Sequence, residues 1–155
     1  ADGGGTRVGA AASGQNACGV AIARNLVRLR LSESASYLGE PLAEAGVSLW
    51  RLIDDQASSV AIFSRDDLPD WPALRLSLQA RFASRLQTEE DFAAVSVVGT
   101  SLGQASEVTR ALTLARHNGV EILGVDTSPL RLTLFTKQED SGRLAQLFHG
   151  AFIPI

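Results

Sequence analysis

The side chains that most often perform catalysis are few in this chain and lie apart in its sequence. The two histidines, His117 and His149, stand near the ends of predicted helices, where a basic side chain interacts favourably with the helix dipole. The single cysteine, Cys18, has no cationic neighbour that would stabilise a thiolate. Nucleophilic catalysis needs a serine or cysteine beside an activating base. We therefore interpret these three residues as structural and predict no catalytic residue.

The sequence also lacks the usual patterns of phosphate-binding and metal-binding sites. A phosphate-binding loop is rich in glycine, leads into a helix and usually has a lysine, whereas the glycines at residues 3–5 have neither. The acidic residues 54–55 and 89–91 do not have the spacing of a calcium loop. One cysteine cannot form a zinc site of thiolates from this chain alone. The sequence therefore predicts no metal and no cofactor in this chain.

Charge and hydropathy exclude two classes of partner. Fourteen basic residues against 17 acidic ones leave no positive excess to neutralise nucleic-acid phosphates. No apolar run approaches the ~18 residues that a membrane-spanning helix needs. The lone cysteine fits a reducing, cytoplasmic setting, and the 45% apolar content fits a globular protein. Because the chain has no methionine, we expect it to be part of a longer or processed polypeptide.

The elements that must position any site follow an order that occurs twice. In the first half, alternating residues predict a strand over 26–31, followed by a short helix over 40–45. Two more strands are predicted over 47–53 and 59–63. Asp70 is expected to cap a second helix, whose apolar residues recur with helical spacing. The first half therefore reads βαββα.

The second half has the same order of elements. A strand is predicted over 94–99, a helix over 105–118, two strands over 120–125 and 130–135, and a last helix capped by Asp140. The polar residues before the first of these strands are expected to interrupt the pattern. Two βαββα copies indicate an α+β fold of two ferredoxin-like modules, each an antiparallel sheet with its helices on one face.

Direct matches between the halves support an internal duplication. Residues 45–49 lie over residues 118–122 at an offset of 73, whereas Leu31 pairs best with Gly99 at an offset of 68. The first copy is thus five residues shorter (73 minus 68) before this segment, which predicts a contracted loop and helix. We divide the chain into three parts, which are a Gly-, Ala- and Ser-rich linker at 1–19, a first module at 20–88 and a second module at 89–155.

Several segments share the pattern of one enzyme family. Residues 95–100, 118–122, 127–132 and 147–152 resemble, without gaps, the second ACT module of aspartate kinases. Residues 5–8 are similar to the end of the family's kinase lobe. The segments that resemble the first ACT module more loosely are residues 19–21, 43–47 and 66–68.

This resemblance implies that the chain is the regulatory region of an aspartate kinase. The family phosphorylates aspartate with ATP at the entry to lysine, threonine and methionine synthesis, so ATP and magnesium would belong to a kinase lobe, linked or associated, outside this chain. Its ACT modules imply allosteric regulation by an amino-acid effector, lysine or threonine, and a homodimer. Trp50 is a candidate for the dimer contact, with a core position in its own module as the equal alternative. The competing function is an ACT-type dimerisation scaffold that has lost effector binding.

The family's effector loop carries an aspartate and a Pro-Gly pair, whereas residues 32–36 here have neither. Losing a charge-assisted hydrogen bond predicts weak, millimolar binding. Asp54 is a candidate replacement for the lost carboxylate, and a solvated turn residue is the alternative. The resemblance places the effector between residues of the first module and residues of the second module, the latter from the same chain or from its partner. The expected effector-binding residues are Ser34, Ser36, Ser48, Asp54, Glu121, Ile122, Thr127 and Ser128.

Overall fold

Six strands and four helices build the part of the chain that this computed structural model describes, residues 17–153. Residues 1–16, which hold most of the predicted linker and the segment similar to a kinase lobe, and residues 154–155 lie outside the described residues. In chain order the elements are β1 (Ala17–Leu31), α1 (Ser36–Glu44), β2 (Leu49–Asp54), β3 (Ser59–Ser64), α2 (Trp71–Phe82), β4 (Leu86–Gly99), α3 (Ala105–His117), β5 (Ile122–Ser128), β6 (Arg131–Lys137) and α4 (Ser141–Phe152).

These elements form two compact units, one inserted within the other in sequence. The inserted unit is Arg24–Phe92, and the described part of the flanking unit is residues 17–23 with 93–153. The long strands β1 and β4 each contribute to both units. The inserted unit therefore has six elements in the chain order βαββαβ. The flanking unit reads βαββα from β4 to α4, and its sixth element is the start of β1, which precedes the others in the sequence. The predicted modules at 20–88 and 89–155 have different boundaries, and residues 17–19 of the predicted linker belong to β1.

In the inserted unit the strands lie in the order β2-β3-β1-β4. β1 and β3 are antiparallel, with Leu26 opposite Ser64 and Leu31 opposite Ser59. Alternate residues of one sheet face share a core with both helices, which explains why α1 and α2 cover the same face. This core is built mainly from Val27, Leu29, Leu31, Leu38, Leu42, Ala61, Phe63, Trp71, Leu74, Leu78 and Phe82.

In the flanking unit the order is β1-β4-β6-β5, with β5 and β6 antiparallel. Val95 and Val97 of β4 and Leu132 and Leu134 of β6 again present alternate residues to one helix layer. The remaining members of this second core are Ala17, Leu102, Ala111, Ala115, Val120, Leu144, Phe148 and Phe152. The predicted α+β fold of two ferredoxin-like modules is confirmed.

The ends of α1 and α3 show the duplication at atomic level. Gly46 and Gly119, which are 73 positions apart, both have positive φ, +75° and +71°. In both units the next residue donates a backbone hydrogen bond five positions back, from Val47 to Leu42 at 3.0 Å and from Val120 to Ala115 at 2.9 Å. Glycine adopts this left-handed conformation without the steric cost that a side chain imposes. α1 has nine residues and α3 has 13, as the contracted first copy predicts.

The two predicted helix caps have different outcomes. Asp70 caps α2, because its Oδ1 accepts a hydrogen bond from the Ala73 backbone nitrogen at 3.1 Å. The prediction for Asp140 is wrong, since its side chain accepts no capping hydrogen bond and its backbone is already helical in a 3-10 turn over Gln138–Asp140. Its carboxylate lies 3.6 Å from Arg143 instead.

Candidate functional site

Three of the predicted effector residues meet at one edge of the inserted unit. Ser34 lies in the loop between β1 and α1, Ser36 is the first residue of α1, and Asp54 is the last residue of β2. The Ser34 hydroxyl donates to Asp54 Oδ2 at 3.3 Å and accepts from the Ser36 hydroxyl at 3.2 Å. It also accepts from the Ser36 backbone nitrogen at 3.3 Å. We call Ser34, Ser36 and Asp54 the loop cluster.

The turn after Asp54 holds its carboxylates in fixed directions. Asp54 Oδ1 accepts from the Gln56 backbone nitrogen at 2.9 Å. The next residue, Asp55, turns away and accepts from the backbone and hydroxyl of Ser58 at 2.7 and 3.0 Å. Hydrogen bonds from Ser58 lower the pKa of Asp55 below its ordinary value. Both carboxylates are therefore engaged within the turn, and of the two only that of Asp54 contacts Ser34.

Ser48 does not join the loop cluster. It is exposed and precedes β2, whereas Asp54 ends the same strand. At ~3.3 Å per residue, the six steps of extended chain separate the two residues by roughly 20 Å. The two residues therefore lie at opposite ends of the strand, which the sequence pattern alone does not reveal.

The four predicted residues of the flanking unit also divide between two strand ends. Glu121 and Ile122 lie at the start of β5, where the Glu121 carboxylate is 3.4 Å from Lys137 Nζ and Ile122 packs against the core. Thr127 and Ser128 are exposed at the other end of β5. The structure therefore brings these residues together in two pairs and not as one group of four.

In the flanking unit, the loop that corresponds to residues 32–35 of the inserted unit packs on the hairpin formed by β5 and β6. The Gly99 backbone nitrogen donates to Leu130 O, and the Leu102 nitrogen donates to Pro129 O, both at 3.0 Å. The Leu102 side chain is fully buried in the core. A Cβ added to Gly103 would lie 3.3 Å from Ser128 O, so the two backbones are nearly in contact. This loop presents main chain to the hairpin, whereas the inserted unit presents the polar loop cluster.

Residues outside the predicted set hold the loop cluster in place. The Ser59 hydroxyl donates to Glu33 O at 3.0 Å, and the Ser32 backbone nitrogen donates to Arg85 O at 2.9 Å. The Arg85 side chain forms an ion pair with Glu33. No short-range pattern relates residue 33 to residues 59 and 85, so reasoning from the sequence missed these contacts.

Trp50 lies on the outermost strand of the inserted unit, β2. It occupies a β-bulge between Leu49 and Arg51, and 40% of its surface is exposed. The alternative of a core tryptophan is therefore wrong. Every residue of β2 is exposed, and the exposed apolar residues are Leu49, Trp50, Leu52 and Ile53.

Two open surface cavities lie away from the loop cluster. A cavity of about 640 Å³ runs along α3 and includes Arg110 and His117. A smaller one of about 380 Å³ includes Glu44 and Asp70. Neither is lined by a predicted effector residue. Among the described residues, no group of three or more His, Cys, Asp or Glu side chains could hold a metal ion, and no helix there is long and apolar enough to cross a membrane.

Solved structures share this fold, although no protein-family model and no curated protein matches the sequence. The ligand-free regulatory subunit of aspartate kinase from Thermus thermophilus aligns with a TM-score of 0.72 at 20% identity. The alignment covers 90% of this chain and 99% of that one. The chain has the fold of an aspartate kinase regulatory region.

Longer proteins contain the same fold as one part. Aspartate kinase from Clostridium acetobutylicum aligns with a TM-score of 0.74 at 15% identity, over 88% of this chain and 34% of that chain. E. coli aspartokinase III in complex with lysine and aspartate, in its T-state, aligns with a TM-score of 0.63 at 22% identity, over 89% and 33%. The chain thus spans nearly all of a separate regulatory subunit and about a third of these complete kinases.

Proposed function

We propose that this chain is the regulatory region of an aspartate kinase and that it binds an amino-acid effector. The observation that carries this proposal is the shared fold over nearly the whole length of a separate regulatory subunit. The kinase lobe, with the ATP and magnesium that phosphorylation of aspartate requires, would lie outside this chain. An effector with different affinities for two arrangements of the regulatory region would shift the kinase between two states.

The loop cluster is the part of the proposed site for which the contacts are strongest. Asp54 offers a carboxylate to the ammonium group of an amino acid. The hydroxyls of Ser34 and Ser36, which donate within the cluster in the ligand-free protein, would rotate to donate to the carboxylate of the ligand. Asp54 is the one charged side chain among the three. A missing charge-assisted hydrogen bond costs about 1.5–3 kcal/mol, or roughly one to two decades of affinity, so we expect millimolar binding. The contributions of Ser48, Glu121, Ile122, Thr127 and Ser128 stay predictions.

Calorimetry with lysine and with threonine tests this site. In Asp54→Asn the amide oxygen still accepts from Gln56, but the charge is lost, so we expect at least a tenfold loss of affinity. Asp55→Asn is the matched control, because Asp55 lies in the same turn and faces Ser58. Micromolar binding that Asp54→Asn leaves unchanged would contradict the site. Absence of binding by either amino acid would favour the scaffold function.

The exposed strand β2 supports a homodimer, which is common to both candidate functions. An edge strand has unpaired backbone groups that can pair with another strand, and exposed charges normally prevent this. Besides the exposed charged residues Arg51 and Asp54, β2 exposes the apolar residues Leu49, Leu52 and Ile53 by 44–47% each. We propose that two copies pair through β2, with Trp50 at the contact.

We also propose a cytoplasmic location, because a lone cysteine such as Cys18 fits a reducing environment.

Sedimentation at micromolar concentration tests the dimer. Ile53→Lys places a charge on the proposed interface and should convert the dimer to a monomer near 16 kDa. Leu76→Lys is the matched control, since Leu76 is a still more exposed leucine (63%) on α2 of the same unit. A dimer that survives Ile53→Lys but dissociates with Leu76→Lys would show that the interface is elsewhere.

A further inference from the structure

A strained turn joins α2 to β4 in the inserted unit. Ala83 ends α2 with φ +52° and ψ −127°, a conformation that favours glycine, and Ala83–Arg85 form a single 3-10 turn. A residue with a side chain keeps such a conformation only where surrounding contacts impose it. Several of the contacts that surround this turn come from Arg85, and its neighbours Phe82 and Leu86 are buried in the core.

The Arg85 guanidinium binds the C-terminal end of α2. Its Nε donates to Phe82 O and its Nη2 donates to Arg81 O, both at 3.1 Å. These carbonyls belong to the last turn of the helix, where backbone oxygens have no partner within the helix. The guanidinium also lies 5.8 Å from the centre of the Phe82 ring. The side chain is thus fixed on α2 by several contacts.

The same residue holds the loop that carries Ser34. Arg85 Nη1 forms an ion pair with Glu33, and the Arg85 carbonyl accepts from the Ser32 backbone nitrogen at 2.9 Å. Glu33 is held a second time, through its carbonyl, by the Ser59 hydroxyl. Ser34 follows directly, so the position of its hydroxyl beside Asp54 depends on how Glu33 is held.

We propose that Arg85 is the positioning residue of the loop cluster, holding Ser34 and Ser36 in the conformation that receives the ligand. Arg85 does not touch the cluster and acts through Glu33 and Ser32. This role deepens the proposed function, and its ligand-binding part rests on that function. Its conformational part concerns the ligand-free protein and can be tested by itself.

Arg81, in the last turn of α2, provides a matched control. The side chains of Arg81 and Arg85 are 48% and 50% exposed, and each pairs with a glutamate. Each guanidinium also lies over the Phe82 ring, at 5.7 and 5.8 Å. The partner of Arg81 is Glu40 of α1, however, and not the loop. Replacing either arginine by methionine makes the same chemical change, and only one replacement releases the loop.

The experiment compares Arg85→Met with Arg81→Met by amide hydrogen exchange without ligand and by lysine and threonine calorimetry. In Arg85→Met we expect the amides of Ser32, Ser36 and Tyr37 to exchange about twofold to fivefold faster, and affinity to fall by a similar factor. In Arg81→Met both should be unchanged. Glu33→Gln breaks the ion pair from the loop side and leaves the contacts on α2, so it should reproduce the effect even where Arg85→Met folds poorly.

The outcomes separate the two levels of the proposal. Faster local exchange in Arg85→Met and Glu33→Gln, with amino-acid binding in the unaltered protein, supports the positioning role. The same exchange result without binding in the unaltered protein supports the conformational role and contradicts the proposed function. Equal exchange in Arg85→Met and Arg81→Met, or slow exchange in Glu33→Gln, overturns the positioning role whatever the calorimetry shows.

Discussion

Replacing Ala83 by glycine should stabilise the protein, although glycine in the interior of a helix or strand normally weakens it. Ala83 is exposed and has φ +52° and ψ −127°, so its methyl group contributes strain and almost no burial. A side chain in such a conformation costs on the order of 1–3 kcal/mol. Glycine removes this cost but loses about 0.4–1 kcal/mol through the greater freedom of the unfolded chain. The difference favours Ala83→Gly by about 1 kcal/mol.

For a chain of this size, 1 kcal/mol raises the melting temperature by roughly 2–4 °C, which calorimetry or circular dichroism resolves. Ala80→Gly is the control, because Ala80 is an exposed alanine one turn earlier, in the regular part of α2. There the same change should destabilise the protein by up to about 1 kcal/mol. A lower melting temperature in both variants would refute the assignment of strain to Ala83.

Three further predictions follow from buried or constrained residues. Burial raises the pKa of Glu90, but hydrogen bonds from Trp71 (2.9 Å) and Arg75 (3.0 Å) contribute to a larger opposite shift. The pKa of Glu90 is therefore below its ordinary value of 4.5. Its contribution to stability is therefore complete above 4.5 and is lost as pH falls through the folded-state pKa, so urea titrations should show a weaker acid dependence in Glu90→Gln. Leu102→Ala should cost about 2–5 kcal/mol of unfolding free energy, and equality with the parent protein would contradict its role in the core. Gly119→Ala should cost about 1 kcal/mol in the same assay, because φ is +71° there.

Local patterns best predicted the helices that have a clear capping residue or a terminal glycine. The start of α2 and both bounds of α3 agree with the prediction to within one residue, because Asp70 and Gly119 mark ends that depend on nearby backbone groups alone. The meeting of Ser34 with Asp54 was also predictable, since β1 and β2 both run antiparallel to β3, so that the segments after them lie at the same end of the sheet. The position of Ser48 was not, because periodicity does not say which end of a strand carries a site.

The first half of β4 was missed for a non-local reason. Its charged residues Glu89 and Glu90 suggest a solvated loop, yet they lie in a strand. Glu89 binds Arg28 and Arg30 at 2.7 and 3.1 Å, and Glu90 binds Arg75. Hydrogen bonds from Arg28 are the main reason that the pKa of Glu89 is lowered. These arginines are 15 to 61 residues away, so a window along the chain cannot find them.

The insertion of one unit within the other gives the two units different assembly requirements during synthesis. The inserted unit is continuous, and all six of its elements are present once Phe92 has left the ribosome. The flanking unit must join residues 17–23 to residues from Ala93 onward, so its first strand cannot pair until those later residues have been synthesised. Closing such a long loop is slow. A fragment over 24–92 should therefore fold alone, whereas one over 89–155 lacks a strand and should expose the sheet edge that residues 17–23 cover.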